Sequence, residues 1–124
     1  MEMRAAIVVW LATAIACSAH RGFSQERIHD TFVKDFYSPD PSCSTADVPL
    51  NHAQAEAFFK RARVLDYKTM SDNYPIAPCY IMGTLRYAGE SCDWKIFAGS
   101  TGSIKCKDRE VFLACDTCDD LFRR

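Results

Sequence analysis

The sequence has little histidine, no excess of charge of either sign, and no apolar run long enough to cross a bilayer. Its histidines, His20, His29 and His52, all precede the predicted sheet. None accompanies a recognisable nucleophile motif, so no catalytic site is predicted, although triads assembled in space leave no such motif. Lysine and arginine number 15 against 16 acidic residues, a net charge of −1. This balance gives no electrostatic argument for binding nucleic acid or a membrane surface.

The longest uncharged apolar run, residues 5–17, lies close to the N-terminus. It is too short for a membrane-spanning helix, which needs about 20 residues. It follows Arg4 and ends in small residues, which is typical of a secretory signal. Residues 1–19 are therefore predicted to be a signal peptide, cleaved after Ala19.

A second outcome for this signal is lipidation of Cys17. The segment Ala14-Ile15-Ala16-Cys17 resembles the bacterial lipobox, in which a small residue precedes the cysteine that is acylated. Ala14 stands where the lipobox usually has leucine. Both cleavage after Ala19 and lipidation of Cys17 stay open.

Cysteine is abundant, with seven residues in 124. Because Cys17 either lies in the signal or becomes the lipidated residue, six cysteines are left for the folded domain. Six cysteines in a small exported domain predict up to three disulfides, and the spacing does not choose among the 15 pairings. These cysteines are Cys43, Cys79, Cys92, Cys106, Cys115 and Cys118.

Two helices are predicted before the sheet. The first covers Phe23–Phe36, with Ser24 as its N-cap and apolar residues recurring every four positions at Ile28, Phe32 and Phe36. The second covers Asn51–Leu65, in which Asn51 and Gln54 match a capping box.

The C-terminal half alternates between apolar and polar residues, a pattern typical of strands. Strands are predicted at residues 79–87, 92–98, 103–107 and 110–115, joined by glycine-containing or polar turns. The predicted fold class is α+β: two N-terminal helices packed on a four-stranded antiparallel sheet, stabilised by disulfides. Residues 20–124 are predicted to form a single domain.

The strongest candidate for a reactive motif is Cys115-Asp116-Thr117-Cys118, because a C-x-x-C before a helix supports thiol–disulfide exchange. However, it lies near the end of the chain, without the βαβ units of a thioredoxin-like fold. The neighbouring Asp116, Asp119 and Asp120 disfavour a thiolate. A structural disulfide is the preferred interpretation, and a redox role is the alternative. A single close cysteine pair without a nearby histidine predicts neither a metal site nor a cofactor.

The loop AGSTGS at residues 98–103 is the predicted binding element. Its glycines free the backbone and its hydroxyls offer donors and acceptors, so a tip held between two strands suits insertion into a partner. An ordinary hairpin turn is the alternative. The predicted binding residues are Phe97, Gly99, Ser100, Thr101 and Gly102, with Phe97 on the opposite face of its strand from Trp94 and Ile96.

The sequence resembles the small exported immunity proteins and lysozyme inhibitors of Gram-negative bacteria. Like them, it has a predicted signal, about a hundred further residues, paired cysteines and no readable active site. The resemblance is one of format. It implies a periplasmic, non-enzymatic protein-binding module that blocks a toxin or a peptidoglycan hydrolase. The alternatives are a lipid-anchored envelope protein with a structural or assembly role, through Cys17, and a thiol oxidoreductase through Cys115 and Cys118.

Overall fold

The computed structural model describes residues 22–75 and 77–123. Their main element is a six-stranded antiparallel sheet, whose strands are β1 (Ile28–Tyr37), β2 (Arg63–Leu65), β3 (Tyr80–Tyr87), β4 (Glu90–Phe97), β5 (Thr101–Lys105) and β6 (Glu110–Ala114). The strand order in the sheet is β1-β3-β4-β5-β6-β2.

The helices of the described residues are short: α1 (His52–Arg61), α2 (Tyr67–Asn73) and α3 (Asp119–Phe122). Turns of 3₁₀ helix cover Gln25–Arg27 and Thr45–Asp47. Within residues 22–75 and 77–123, no helix has the length and apolarity that crossing a membrane requires. The predicted signal peptide and Cys17 lie outside the described residues.

The core lies between one face of the sheet and α1. Phe58 and Phe59 of α1 are fully buried, and the Phe59 ring meets the Trp94 ring edge-on with centroids 5.4 Å apart. Burying each of these phenylalanines stabilises the fold by roughly 2 kcal/mol. Trp94 is only 2 % exposed, and its indole N–H donates to the carbonyl of Thr84 at 2.8 Å. Trp94 is therefore a core residue.

The predicted fold class is wrong in its first helix and in its number of strands. Phe23–Phe36 is not a helix: a 3₁₀ turn leads into β1, which pairs with β3. Ser24 makes no side-chain capping bond. A spacing of four residues places side chains on one side of a helix and also on one side of a strand, because four is a multiple of two. The β-branched and aromatic residues of this segment favour the strand.

The second predicted helix is confirmed at its start and wrong at its end. The Asn51 side chain accepts from the Gln54 N–H at 2.8 Å, and the Gln54 side chain accepts from the Asn51 N–H at 3.0 Å. The helix ends at Arg61 rather than at Leu65. Arg63–Leu65 instead forms β2, which completes the sheet beside β6.

β1 lies at one edge of the described sheet, where it pairs with β3. Side chains of α1 hydrogen-bond to backbone groups of β1. The N–H and hydroxyl of Thr31 donate to the Glu56 carboxylate at 3.2 and 2.8 Å. The N–H of Val33 donates to Nδ1 of His52 at 2.9 Å. Unpaired N–H groups on an edge strand invite pairing with another chain, and α1 satisfies two of them here. Burial raises the pKa of Glu56, but the Thr31 and Lys60 contacts outweigh it and leave the pKa lowered.

The six cysteines form three disulfides, as their number predicts. Cys43–Cys79 joins the loop before α1 to the start of β3, across a sequence separation of 36. Cys92–Cys106 joins β4 to the end of β5, and Cys115–Cys118 closes a short loop just after β6. Disulfides of this density are typical of small domains that fold in an oxidising compartment, which is consistent with export.

Candidate protein-binding surface

The sheet face opposite α1, here called the outer face, carries a row of aromatic side chains. Tyr37, Tyr80 and Phe97 lie at successive cross-strand positions on β1, β3 and β4. Ring centroids are 5.4 Å apart for Tyr37 and Tyr80, and 5.0 Å apart for Tyr80 and Phe97. Tyr37 is 48 % exposed, whereas Tyr80 and Phe97 are half-buried. A solvated sheet face normally alternates to polar residues, so this row needs an explanation.

Beside Phe97, a groove of about 230 Å³ runs between α2 and the outer face. Its sheet side includes Phe97, Phe112 and Ser103, and its helix side includes Tyr67 and Met70. Lys95 and Glu110 also line it, and the Lys95 ammonium lies 4.9 Å from the centroid of the Tyr80 ring. The aromatic row and the groove therefore form one surface, joined at Phe97.

α2 is attached to the sheet at its two ends. At its start, the Asp66 carboxylate caps the helix by accepting from the Thr69 N–H, and the Tyr67 ring meets the Phe112 ring with centroids 5.2 Å apart. Just past its end, the Tyr74 hydroxyl donates to Asp116 at 2.7 Å and accepts from Arg63 at 2.7 Å. These two attachments set the width of the groove.

Arg63, Tyr74 and Asp116 form a closed polar triangle, since Nε of Arg63 also donates to Asp116 at 2.8 Å. The hydrogen bond from Tyr74 and the contact with Arg63 lower the pKa of Asp116. The bond to the Asp116 carboxylate raises the pKa of Tyr74. Both shifts show that the triangle favours an ionised Asp116 and a neutral Tyr74.

We expect the stabilisation from this triangle to disappear at both ends of the pH scale. A carboxyl whose pKa is lowered by folding stabilises above its ordinary pKa, and this contribution is lost as the pH falls through the lowered value. Tyr74, whose pKa is raised, contributes below its ordinary pKa and loses the contribution as the pH rises through the raised value. Urea unfolding of the wild type and Asp116→Asn should therefore converge in acid, and that of the wild type and Tyr74→Phe should converge in strong alkali. A difference that is constant with pH would contradict the triangle.

The predicted loop lies partly inside the sheet. Thr101 and Gly102 belong to β5, and both are buried. The Ser100 carbonyl accepts from the Cys115 N–H at 3.0 Å, and the Ser100 hydroxyl donates to the Cys115 carbonyl at 3.2 Å. A Cβ built on Gly99 would lie 2.9 Å from the carbonyl oxygen of Pro75. The turn is therefore packed against its neighbours, and contact of residues 99–102 with a partner stays a prediction.

The C-x-x-C cysteines are closed to solvent: Cys115 is 4 % exposed and Cys118 is fully buried. Thiol–disulfide exchange requires an attacking thiolate to reach a sulfur, and this burial obstructs the approach. Arginines neutralise two of the three nearby carboxylates, since Arg63 pairs with Asp116 and Arg61 with Asp120, each at 2.8 Å. The arrangement suits a structural disulfide.

One group of potential metal ligands occurs among the described residues: Cys43, Asp47 and Cys79, whose ligand atoms lie within 4.8 Å of one another. Both sulfurs are engaged in the Cys43–Cys79 disulfide, so neither is available as a thiolate. Of the histidines, His52 bonds to Val33 and stacks on Phe32, which gives it a place in the packing of α1 on β1. His20 lies outside the described residues.

The sequence signal for the outer face was present but incomplete. Side chains alternate between the two faces along a strand, so Tyr80 and Phe97 lie on the face opposite to Ile81 and Ile96. This indicates the outer face once the strands are known. Tyr37 and α2 were missed, because Tyr37 follows a predicted helix and residues 67–73 lie between the second predicted helix and the first predicted strand.

No family model, no curated protein and no solved structure matches the chain.

Proposed function

We propose that this protein is an exported, non-enzymatic binding module whose outer face blocks a secreted partner, in the manner of an immunity protein or an inhibitor of a peptidoglycan hydrolase. The observation that carries the proposal is the aromatic row Tyr37, Tyr80 and Phe97 beside the groove under α2. Aromatic residues dominate binding energy at protein interfaces, because they bury a large area at a low cost in entropy.

Rigidity supports the proposal. The disulfides Cys43–Cys79 and Cys92–Cys106 fix the strands that carry the row, since Cys79 directly precedes β3 and Cys92 lies in β4. A surface that is already ordered loses less conformational entropy when it binds. Steric occlusion requires only shape and affinity, so the proposed role needs no reactive group.

The choice of partner follows from the compartment. Three disulfides are expected where the environment is oxidising, which supports export, and the predicted signal agrees with it; the periplasm is the compartment that we propose. Peptidoglycan hydrolases and toxins that attack the cell wall act in the same compartment. The outer face is broad, and its two grooves of about 230 and 200 Å³ are smaller than typical small-ligand sites, which suits a macromolecular partner better than a small substrate.

The test is inhibition of purified peptidoglycan hydrolases: muramidases, amidases and peptidases assayed on isolated cell walls with and without the protein. We expect one enzyme to be inhibited with one-to-one stoichiometry. Tyr80→Ser and Phe97→Ser should each weaken that inhibition about tenfold or more, because each removes an aromatic contact at the centre of the surface.

The matched control is Phe32→Ser. Phe32 is 51 % exposed and stacks on His52, beside α1 and outside the aromatic row, so this variant should inhibit as well as the wild type. Equal losses for Phe32→Ser and Phe97→Ser would place the contact elsewhere on the molecule. If no enzyme of the panel is inhibited or forms a complex, the hydrolase-inhibitor proposal is wrong.

A further inference from the structure

We infer that the groove under α2 receives one aromatic side chain from an extended segment of the partner protein, and that the neighbouring residue of that segment carries a carboxylate. This inference rests on the proposed function and specifies the chemistry that the outer face recognises.

The groove stays open because α2 stands off the sheet. No residue of α2 is buried, and Tyr67 at its start and Tyr74 past its end attach the helix to the rest of the fold. Between these attachments Met70 and Ser71 line the gap. Its volume of about 230 Å³ is below the roughly 300 Å³ at which drug-sized ligand sites begin. It therefore suits a single large side chain.

The walls of the groove favour an aromatic ring. Phe97 and Phe112 come from the sheet, and Tyr67 comes from the helix. Aromatic pairs prefer edge-to-face or offset contacts at centroid distances of about 4.5–7 Å, and rings on both walls offer both orientations. An inserted ring would also continue the row that ends at Phe97.

The charge next to the groove favours a carboxylate. A second depression of about 200 Å³ shares Lys95, Ser103 and Glu110 with the groove. It adds Lys34, Lys105 and Asp93, so three lysines face two acids there. None of these five charged groups forms an ion pair with another residue that the structure describes. With three lysines against two acids, the depression carries a net charge of +1, which an acidic residue beside the inserted ring would neutralise.

The experiment is a titration of the ¹⁵N-labelled protein with the capped dipeptide Ac-Phe-Glu-NH₂, followed by amide chemical shifts. We expect saturable shifts at groove residues, including Met70, Ser103 and Phe112. Binding of Ac-Phe-Lys-NH₂ should be about fivefold weaker, the size expected for one exposed charge pair. Ac-Ala-Glu-NH₂, which lacks the ring, should cause no saturable shift.

Two variants make the assignment specific. Ser103→Trp fills the groove from β5 and should abolish the shifts, whereas Ser91→Trp, the same change on β4 outside the groove, should leave them intact. Lys95→Gln should keep the binding of the ring and remove the preference for glutamate over lysine. If Ser103→Trp fails to fold, the Lys95→Gln result decides alone.

Several outcomes would overturn the inference. Shifts outside the groove, or none, would mean that the groove takes no aromatic side chain. Equal affinity for Ac-Phe-NH₂ and Ac-Phe-Glu-NH₂ would exclude the carboxylate. Shifts at the groove on concentrating the protein without peptide would assign the surface to a second copy of the chain. Because no hydrolase is present, these outcomes are independent of the inhibition assay: a failed titration with intact inhibition refutes only the groove.

Discussion

Replacing Cys43 and Cys79 together by alanine should lower the free energy of unfolding by about 4 kcal/mol, the largest loss among the three disulfides. A disulfide restricts the unfolded chain more when it closes a longer loop. Cys43–Cys79 spans 36 residues, against 14 for Cys92–Cys106 and 3 for Cys115–Cys118. By the same reasoning the other two are worth about 3 and about 1.5 kcal/mol.

Urea unfolding of the three double-alanine variants measures this order directly, with intact mass confirming that the other two bonds are closed. The consequence for function is specific. Cys79 is fully buried beside the start of β3, where Tyr80 enters the aromatic row. Loss of Cys43–Cys79 should therefore loosen the row, whereas loss of Cys115–Cys118 should leave it in place. A larger loss of stability for Cys115–Cys118 would show that burial and packing, rather than loop closure, dominate.

Four strands of the sheet could be predicted from the sequence because local patterns specify them. Residues 80–87 and 90–97 alternate cleanly, and the two central residues of the connecting turn, Ala88 and Gly89, both have positive φ, as a tight hairpin requires. The cysteine count likewise predicts up to three disulfides. Their pairing could not be predicted, because it depends on which strands become neighbours.

The two missed strands are both at the edges of the sheet and rely on contacts that are distant in sequence. Residues 28–37 pair with β3 about fifty residues later, and β2 pairs with β6 at a similar distance. In β1 the register shifts between His29 and Phe32 and again between Val33 and Asp35, so its burial does not follow a simple alternation. The spacing of the apolar residues alone therefore does not distinguish this strand from a helix.

The candidate surface, like the sheet, could be predicted where a local pattern specifies it and was missed where it depends on distant contacts. Phe97 was identified because its parity on a well-predicted strand opposes Trp94 and Ile96. The groove was not, because it is a gap between two elements and depends on how α2 is held by Phe112 and by the Arg63–Tyr74–Asp116 triangle. Charged and aromatic contacts across 42 residues, such as Tyr74 with Asp116, have no local signal in the sequence.

Gly83→Ala should lower the free energy of unfolding by about 3 kcal/mol or more, although it adds only one methyl group. Gly83 is buried in β3 opposite Trp94, and its φ lies outside the left-handed region, so the cost is steric. A Cβ there would lie 1.8 Å from the carbonyl oxygen of Phe32 and 2.9 Å from the Trp94 ring. Overpacking usually costs about 1–3 kcal/mol, and a clash with backbone exceeds what a side chain can relieve.

The added methyl group would clash with the Phe32 backbone and with the Trp94 ring, and two further variants distinguish which clash costs more. Because Phe32 meets Gly83 through its backbone, β1 must shift away from β3, and hydrogen exchange should rise at Thr31 and Val33 before the rest of the sheet opens. Reducing the ring with Trp94→Leu should not rescue Gly83→Ala, since the closer contact is unchanged. Gly22→Ala, where a Cβ would meet nothing within 4 Å, should unfold like the wild type. Rescue by Trp94→Leu would instead identify the ring as the main obstacle, and β1 would then be free to stay paired while the core repacks around it.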